Sequence, residues 1–311
     1  MPRPFRFGVN LLTPAPADEW RAKCRRAEEL GYDVILVPDH LGMPAPFPAL
    51  VAAAEATERP RLGTFVLNTG FWNPTLLARE VATTDALTGG RLELGLGTGY
   101  VRAEHEAAGL PWGSPGERVA HLLRTVEELD RLLGSDELLH SRLLPHSRLR
   151  SSGGTPMPQA AQKPRVPLLI GAGGDRMLRI TAEHADIAAF TGARTKPDGM
   201  LEPITAAELD ERVALYREFA AGRKEPAELN LLIQIVTVTD DRGAAIQPWL
   251  SRIPHLAKQQ VLELPIVLVG TLEQIIEQVR AQRERYGISY LTVLEPNMEA
   301  FAPVVDALHG Q

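Results

Sequence analysis

Eight short apolar runs, nearly all separated by a helical segment, constrain the fold of this chain more than any other feature. The runs cover residues 5–12, 33–39, 61–68, 91–99, 166–174, 185–192, 229–238 and 289–296. Several are apolar throughout, which is typical of strands buried on both faces. Strands separated by helices cannot be joined by hairpins, so we expect parallel strands with crossover helices. Eight such units in 311 residues predict an α/β fold, a closed (β/α)8 TIM barrel, with an open doubly wound sheet as the alternative.

Capping signals predict where several of the helices begin and end. Ser114-Pro115-Gly116-Glu117 forms a capping box with proline at the first helical position, which satisfies amides that the helix itself leaves unpaired. Thr205 and Thr271 open two further helices in the same way, and Asn73 precedes a proline at the start of another. Gly287 lies where a helix end favours a left-handed residue.

Residues 134–165 interrupt the alternation of strands and helices. They show little apolar periodicity and are rich in Pro, Gly and Ser. Because no second linker is found, we expect a single domain over residues 1–311 with an insertion between strands 4 and 5. Loops of this length are usually functional or disordered. Two interpretations stay open, a solvated excursion and a lid that brings Arg142, Arg148 and Arg150 over an anionic ligand.

Composition excludes several functional classes. Acidic residues outnumber basic ones 39 to 33, for a net charge of −6, which argues against a nucleic-acid or anionic-membrane surface. The single cysteine, Cys24, leaves no partner for an intramolecular disulfide, fits a reducing compartment and is expected to be buried. With neither a signal-peptide pattern nor an apolar run of about 18 residues, we expect a soluble, cytoplasmic protein. Motifs for metal binding, acyl transfer and nucleotide hydrolysis are missing, so no metal site is predicted.

Polar residues follow several of the apolar runs, at the point where each strand is expected to end. In a TIM barrel these carboxyl ends meet at one rim, which carries the active site. "VILVPDH" (34–40) ends on an acid and a histidine; alone this pair would be a capping turn, but in a barrel it favours a site. The residues expected at the rim are Asn10, Asp39, His40, Asn68, Thr98, Gly99, Tyr100 and Glu295.

Two glycine-rich stretches invite a cofactor interpretation. Gly95, Gly97 and Gly99 alternate along a strand, and no helix follows until Ser114, so the dinucleotide fingerprint is not met. We interpret these glycines as letting a flat ring approach the backbone.

The second stretch, "IGAGGDR" (170–176), places Gly171, Gly173 and Gly174 directly before a predicted helix, with Arg176 in its first turn. Amides at a helix N-terminus bind anions, so a phosphate site and a purely structural turn are both open here. A short helix around 104–106, with two glutamates flanking His105, is expected to be a solvated face.

Most of the chain resembles the luciferase-like monooxygenase superfamily, and within it the branch that uses the deazaflavin coenzyme F420. The resemblance is carried by "AEELGYDVILVPDH" (27–40), "RLGTFVLNTGFWNPTLLAREVATTDALTGGRLELGLGTGY" (61–100), "VPLLIGAGGDRMLRITAEHAD" (166–186) and "LVGTLEQIIEQVRAQRERYGISYLTVLEP" (268–296). It implies a (β/α)8 barrel with the deazaflavin ring at the mouth.

The resemblance also implies residue roles. Asp39 would hold the ring, His40 would be the proton donor, and Phe65-Val66 would form a cis peptide that backs the ring. Asn10 and Tyr100 are the candidate substrate contacts on the same rim. The remaining residues expected to contact the coenzyme are Asn68, Thr98 and Gly99 along the ring, and Gly173, Gly174, Arg176 and Met177 on the phosphate side.

Three departures from the family pattern concern the substrate or the ring pocket: the first argues against glucose 6-phosphate as substrate, and the last would narrow the ring pocket. Tyr100 stands where the sugar-phosphate dehydrogenases of this family have a glutamate base, Asn73 stands where the pterin reductases usually have histidine, and Phe65 is bulkier than usual.

The resulting hypothesis is an oxidoreductase that transfers a hydride between coenzyme F420 and a small organic substrate. His40 would be the acid–base group, because the pKa of histidine lies near neutrality. The alternatives are an FMN-dependent monooxygenase and a non-catalytic barrel that only binds a flavin. A homodimer is expected.

Overall fold

The computed structural model describes residues 3–134, 158–196, 201–251, 253 and 255–311. Its strands are β1 (Arg6–Asn10), β2 (Val34–Val37), β3 (Arg61–Thr64), β4 (Leu67–Asn68), β5 (Leu92–Gly97), β6 (Leu168–Gly171), β7 (Ile187–Phe190), β8 (Ala193–Thr195), β9 (Leu201–Pro203), β10 (Glu228–Ile233), β11 (Ile235–Val238), β12 (Val267–Gly270) and β13 (Ile288–Leu294). The main sheet runs β3-β2-β1-β13-β10-β7-β6-β5 and closes on itself because β3 also pairs with β5. All of these pairings are parallel. The predicted (β/α)8 barrel is confirmed.

Helices cover the outside of the barrel. They are α1 (Ala17–Glu29), α2 (Pro46–Ala56), α3 (Pro74–Leu87), α4 (Arg102–Ala107), α5 (Pro115–Gly134), α6 (Asp175–His184), α7 (Ala206–Phe219), α8 (Arg242–Ala245), α9 (Gln247–Leu250), α10 (Lys258–Leu262), α11 (Leu272–Tyr286) and α12 (Met298–Leu308). The predicted caps are present, with capping boxes at Thr205 and Thr271 and reciprocal hydrogen bonds of 3.3 and 2.7 Å between Ser114 and Glu117. Gly287 ends α11 at φ +75°.

A charged cluster closes the lower end of the barrel, where the strands begin. The Arg6 guanidinium donates to Glu93 at 2.6 Å and to Glu228 at 2.5 Å, and it lies 4.5 Å above the Tyr290 ring. Above it, the side chains of Tyr290 and Leu36 occupy the space beside Gly8. The barrel interior is therefore filled from the bottom, and within the interior only the upper end is open.

Two features of the fold differ from the prediction. The run 229–238 is not one strand, because the chain leaves the barrel at Gln234 and β11 pairs with β12 outside it. Neither β12 nor the small antiparallel pair of β8 and β9 was predicted.

The structure tests some of the remaining expectations, on the cysteine, the insertion, membrane spans and metal sites. Cys24 is fully buried, as predicted, and burial raises the pKa of its thiol to about 12. Residues 135–157, with the three arginines of the lid interpretation, lie outside the described residues. The single-domain assignment stays a prediction. Within the described ranges, no helix is both long and apolar enough to cross a membrane, and no group of three or more metal-ligating side chains is found.

Candidate active site

The strand register brings the predicted rim residues to one end of the barrel. Asn10 is level with Leu36 on β2 and with Leu294 on β13, and Asn68 is level with Gly97 on β5. Because parallel strands share their direction, the residues that follow these positions surround the same opening. We call this opening the mouth.

Asp39 is bound to the neighbouring strand by one of its two carboxylate oxygens. Its Oδ2 accepts hydrogen bonds from the main-chain amide of Asn68 at 3.1 Å and from the indole of Trp72 at 3.0 Å. Burial raises the pKa of Asp39 above its ordinary value, although both hydrogen bonds oppose this shift. For Oδ1, the described residues offer no hydrogen-bond partner, so this oxygen is available to a ligand.

His40 forms a pair with Glu104, a residue that sequence reasoning missed. Nδ1 of His40 lies 3.0 and 3.1 Å from the two carboxylate oxygens of Glu104, and the two side chains are 24% and 18% exposed. The Tyr100 ring meets the His40 ring edge-on at a centroid distance of 5.5 Å. Nε2 of His40 has no partner in the described part of the chain, so the pair has one ring nitrogen left for a ligand.

The expectation of a solvated face on the short helix α4 is wrong for Glu104 and His105. Glu104 binds His40, and His105 is 1% exposed. Nε2 of His105 accepts from the Asn68 amide at 2.9 Å, and its Nδ1 donates to the main-chain oxygen of Pro111 at 3.0 Å. Of residues 104–106, only Glu106 is exposed, and it pairs with Arg102 one turn earlier on α4.

The Asn68 side chain is committed within the protein. Besides its bond to His105, it accepts from the amide of Gly70 at 3.1 Å. Gly99 has φ +71°, and a Cβ at this position would overlap the Asn68 amide. Asn68 and Gly99 therefore fix each other's place beside the mouth, and their contact with the coenzyme stays a prediction.

The interpretation of Gly95 and Gly97 as leaving room for a ring is wrong. A Cβ at Gly95 would overlap the main-chain oxygen of Thr64, and one at Gly97 would lie 2.7 Å from Cγ2 of Val66. The space that these glycines leave open is filled by the neighbouring strand.

The neighbouring strand turns at the predicted cis peptide bond between Phe65 and Val66, which is present. Nδ2 of Asn10 donates to the Phe65 main-chain oxygen at 3.4 Å. Asn10 is 4% exposed, and its Oδ1 has no partner in the described residues. A buried acceptor is thus left unsatisfied at the mouth, at a site where a buried polar group ordinarily has a partner.

The predicted phosphate turn is open. Gly173 and Gly174 are exposed, a Cβ at either position would meet nothing within 4 Å, and α6 begins directly after them without a side-chain cap. Arg176 is exposed and donates one N–H to Gly116 at 3.2 Å. Met177 is 8% exposed and belongs to the core, so its side chain packs beneath the turn.

Glu295 has a structural role. Its carboxylate accepts from the amides of Leu12 and Thr13 at 2.6 and 2.8 Å and pairs with Lys23 at 2.5 Å. Burial opposes ionisation, but Lys23 and the two amides hold the pKa of Glu295 below its ordinary value. This residue fastens the end of β13 to the loop after β1.

Comparison with known proteins finds one family over most of the chain. The sequence model of the luciferase-like monooxygenases matches residues 3–260. An F420-dependent glucose-6-phosphate dehydrogenase of Intrasporangium calvum is 34% identical over 172 residues, which are 52% of this chain and 50% of that protein. A putative coenzyme F420-dependent oxidoreductase of Mycobacterium tuberculosis is 32% identical over 240 residues, 72% and 65% of the two chains. The chain therefore spans about half to two thirds of the length of these relatives.

A solved structure supports the fold over its whole length. An F420-dependent secondary alcohol dehydrogenase in complex with an F420-acetone adduct superposes with a TM-score of 0.73, at 16% identity, over 99% of this chain and 100% of that chain. At this identity the likeness concerns the fold alone.

Proposed function

The chain belongs to the luciferase-like monooxygenase family, and we propose that it is an oxidoreductase that transfers a hydride between coenzyme F420 and a small organic substrate. The observation that carries the proposal is the His40–Glu104 pair at the mouth, next to the fixed carboxylate of Asp39. Both relatives described above carry F420 dependence in their names, which supports F420 over other flavin-like coenzymes.

The residues at the mouth fit such a coenzyme. In the described residues, the buried Oδ1 of Asn10 has no hydrogen-bond partner and neither does Oδ1 of Asp39, so two acceptors at the mouth are available to a ligand. The open amides of Gly173 and Gly174, with the guanidinium of Arg176 beside them, suit a phosphate. Bound F420 would supply a two-electron hydride carrier, and the protein would orient it and tune its protonation.

We assign the proton to the Nε2 atom of His40. Glu104 accepts from Nδ1, which fixes the ring orientation and leaves Nε2 to exchange the proton, as the carboxylate does in other carboxylate–histidine pairs. The pair can hold a proton near the substrate and return it within one turnover. Glu104 acts here as the positioning residue.

Two further residues would contact the substrate. Tyr100 is 39% exposed and lies against the His40 ring, and burial together with the charge of Glu104 raises the pKa of its phenol. The phenol is therefore a hydrogen-bond donor at neutral pH, where a glutamate at this position would be an acceptor. Asn10 presents its free oxygen at the end of β1, beside the Phe65 main-chain oxygen.

Coenzyme titration tests the proposal. Adding F420 and, separately, FMN to the apoprotein and following absorbance and fluorescence should give at least about tenfold tighter binding of F420, which corresponds to about 1.4 kcal/mol. Equal or reversed affinities would contradict the coenzyme assignment. The FMN alternative predicts turnover with reduced FMN and oxygen, and the non-catalytic alternative predicts binding without turnover on any alcohol or carbonyl substrate. The homodimer and the cytoplasmic location stay predictions, and size-exclusion chromatography with light scattering tests the former.

A further inference from the structure

A cavity of about 250 Å³ lies at the opposite end of the barrel from the mouth. It opens where α7 and α11 end and where β10 and β13 begin, and its polar lining consists of Arg3, Tyr216, Arg217, Glu228, Arg283 and Ser289. Sites for drug-sized ligands measure about 300–1,000 Å³. The cavity is therefore suited to a smaller molecule.

Three arginines give this cavity a positive charge. Each of Arg3, Arg217 and Arg283 uses one nitrogen to donate to a main-chain oxygen. The acceptors are Pro226 at 2.6 Å, Tyr286 at 2.7 Å and Gln311 at 2.9 Å. A guanidinium has five N–H donors, and in the described residues no Asp or Glu side chain pairs with any of the three arginines. Arg283 has a further partner, since its guanidinium lies 3.8 Å from the centroid of the Phe5 ring, and the oxygen that it donates to belongs to the last residue of the sequence. The remaining donors of Arg3 and Arg217 are therefore the main positive groups at this cavity.

The one acidic group in the lining forms its ion pair with Arg6, although its charge also acts on Arg3. Glu228 is 5% exposed and accepts from Arg6 at 2.5 Å, while its other oxygen lies 3.4 Å from the Ser289 hydroxyl. It shares Arg6 with Glu93 in the charged cluster that closes the barrel, and in the described residues it forms no ion pair with Arg3, Arg217 or Arg283.

The Tyr216 hydroxyl is a second, independent sign of a ligand. Tyr216 is 2% exposed, and its oxygen lies near the Ala227 amide, but the described residues contain no acceptor for its hydrogen. Burial raises the pKa of this phenol, so the hydrogen is retained at neutral pH. A buried donor without an acceptor is costly, and an anion in the cavity would supply the acceptor.

Helix dipoles account for only part of this arrangement. Arg217 and Arg283 lie in the last turns of α7 and α11, where a cation is favourable. Arg3 lies on neither helix, and the dipole does not explain the unsatisfied hydroxyl of Tyr216.

We propose that this cavity binds a small oxyanion with two or more negative charges, either inorganic phosphate or a phosphate monoester. Arg3, Arg217 and Arg283 donate to its oxygens, and the Tyr216 hydroxyl completes the set of donors. The site is separate from the mouth and does not depend on the function proposed for it.

Calorimetric titration of the full-length apoprotein tests the proposal, with inorganic phosphate in one arm and glycerol 3-phosphate in the other, against chloride at matched ionic strength. Arg3→Gln and Arg217→Gln should each weaken binding about tenfold, the scale of one charge-assisted hydrogen bond, and Tyr216→Phe about fivefold. Arg179→Gln is the control for the loss of one positive charge, since Arg179 lies over the Phe219 ring and outside the cavity; this variant should bind as the wild type does. Binding that the cavity variants weaken and Arg179→Gln leaves unchanged supports the site, and the arm with the tighter binding identifies the free or the esterified anion.

The Arg176→Ala variant tests whether the phosphate binds instead at the other candidate anion site, the glycine turn before α6 at the mouth. Phosphate affinity should survive this substitution. The proposal is wrong if Arg176→Ala abolishes binding and the cavity variants do not. It is also wrong if the wild type shows no binding up to about 10 mM phosphate. Melting temperatures without phosphate identify any variant that does not fold. If Arg217→Gln does not fold, the phosphate affinity of Arg3→Gln decides the outcome, because Arg3 is exposed.

Discussion

The two roles of Asp39, a structural one through Oδ2 and a ligand-binding one through Oδ1, can be separated by two substitutions. Asp39→Asn can keep a carbonyl oxygen at the Oδ2 position, where the donors from Asn68 and Trp72 lie at 3.1 and 3.0 Å. Asp39→Ala removes that acceptor and leaves both donors unpaired. The Asn variant therefore changes the charge while the hydrogen bonds remain, and the Ala variant loses both.

The expected difference in stability follows from the two hydrogen bonds. Each is worth about 1 kcal/mol net when the acceptor is neutral, so the Ala variant should be about 2 kcal/mol less stable than the Asn variant. For a domain of this size, that corresponds to a melting temperature about 4 °C lower.

The pH dependence of stability reports the ionisation of Asp39. Burial raises the pKa of Asp39, so the folded protein keeps this proton at a pH where the unfolded chain, with a pKa of about 3.9, has lost it. The contribution of Asp39 to stability is therefore full at low pH and is lost as the pH rises through the window between these two values. Asn does not titrate. As the pH rises through this window, the wild type should therefore lose stability relative to Asp39→Asn. At pH values above the window, the difference in stability between the two proteins should stay constant.

Thermal unfolding of the three proteins from about pH 3.5 to about pH 8, with F420 titration at neutral pH, provides the assay. The amide nitrogen of Asp39→Asn would replace the free Oδ1 acceptor, so F420 affinity should fall about tenfold without a lower melting temperature. Equal melting temperatures of the Asn and Ala variants would refute the structural role of Oδ2. A difference between wild type and Asp39→Asn that does not vary with pH would refute the raised pKa.

Three further predictions concern the mouth. His40→Ala should lower turnover about 10²–10⁴-fold and leave F420 affinity unchanged. Glu104→Gln should lower turnover less and alter the pH profile of turnover. Full activity of His40→Ala in steady-state kinetics would end the catalytic assignment of His40. Gly174→Val should weaken F420 binding in a titration without changing the melting temperature, because a Cβ there meets no atom of the described residues within 4 Å; normal affinity would place the phosphate elsewhere. Gly99→Ala should cost about 1–2 kcal/mol, measured by urea unfolding, because a side chain at φ +71° is strained and its Cβ overlaps Asn68; an unchanged midpoint would contradict this packing.

The barrel strands could be predicted because each is a short apolar run with polar or turn residues on both sides. The run 229–238 shows the limit of that signal. It is apolar on both sides of Gln234, and local periodicity does not register that the chain leaves the barrel there. The pairing of β11 with β12 depends on a tertiary contact, so neither the break nor the extra strand could be read from the pattern.

The same limit of local sequence patterns, which do not register tertiary contacts, applies to the site. Asp39 and His40 were identified because charged groups at the end of an apolar run are unusual. Glu104 was missed because a helix of six residues is too short to show which side is buried, and because its partner lies 64 positions away in sequence. For the glycines of β5, a local pattern indicates close approach but does not say whether a ligand or a neighbouring strand makes it.

Adjacent residues on α4 bind different parts of the protein, and this has a consequence for engineering. Glu104 reaches the mouth, while His105 is held between Asn68 and the Pro111 carbonyl. An insertion or deletion between Gly99 and α4 would displace both contacts together, so a library that varies loop length there would lose activity and stability at once. Variants selected for a new substrate should therefore keep the length of this segment and change its exposed side chains, with Tyr100 as the first position to randomise.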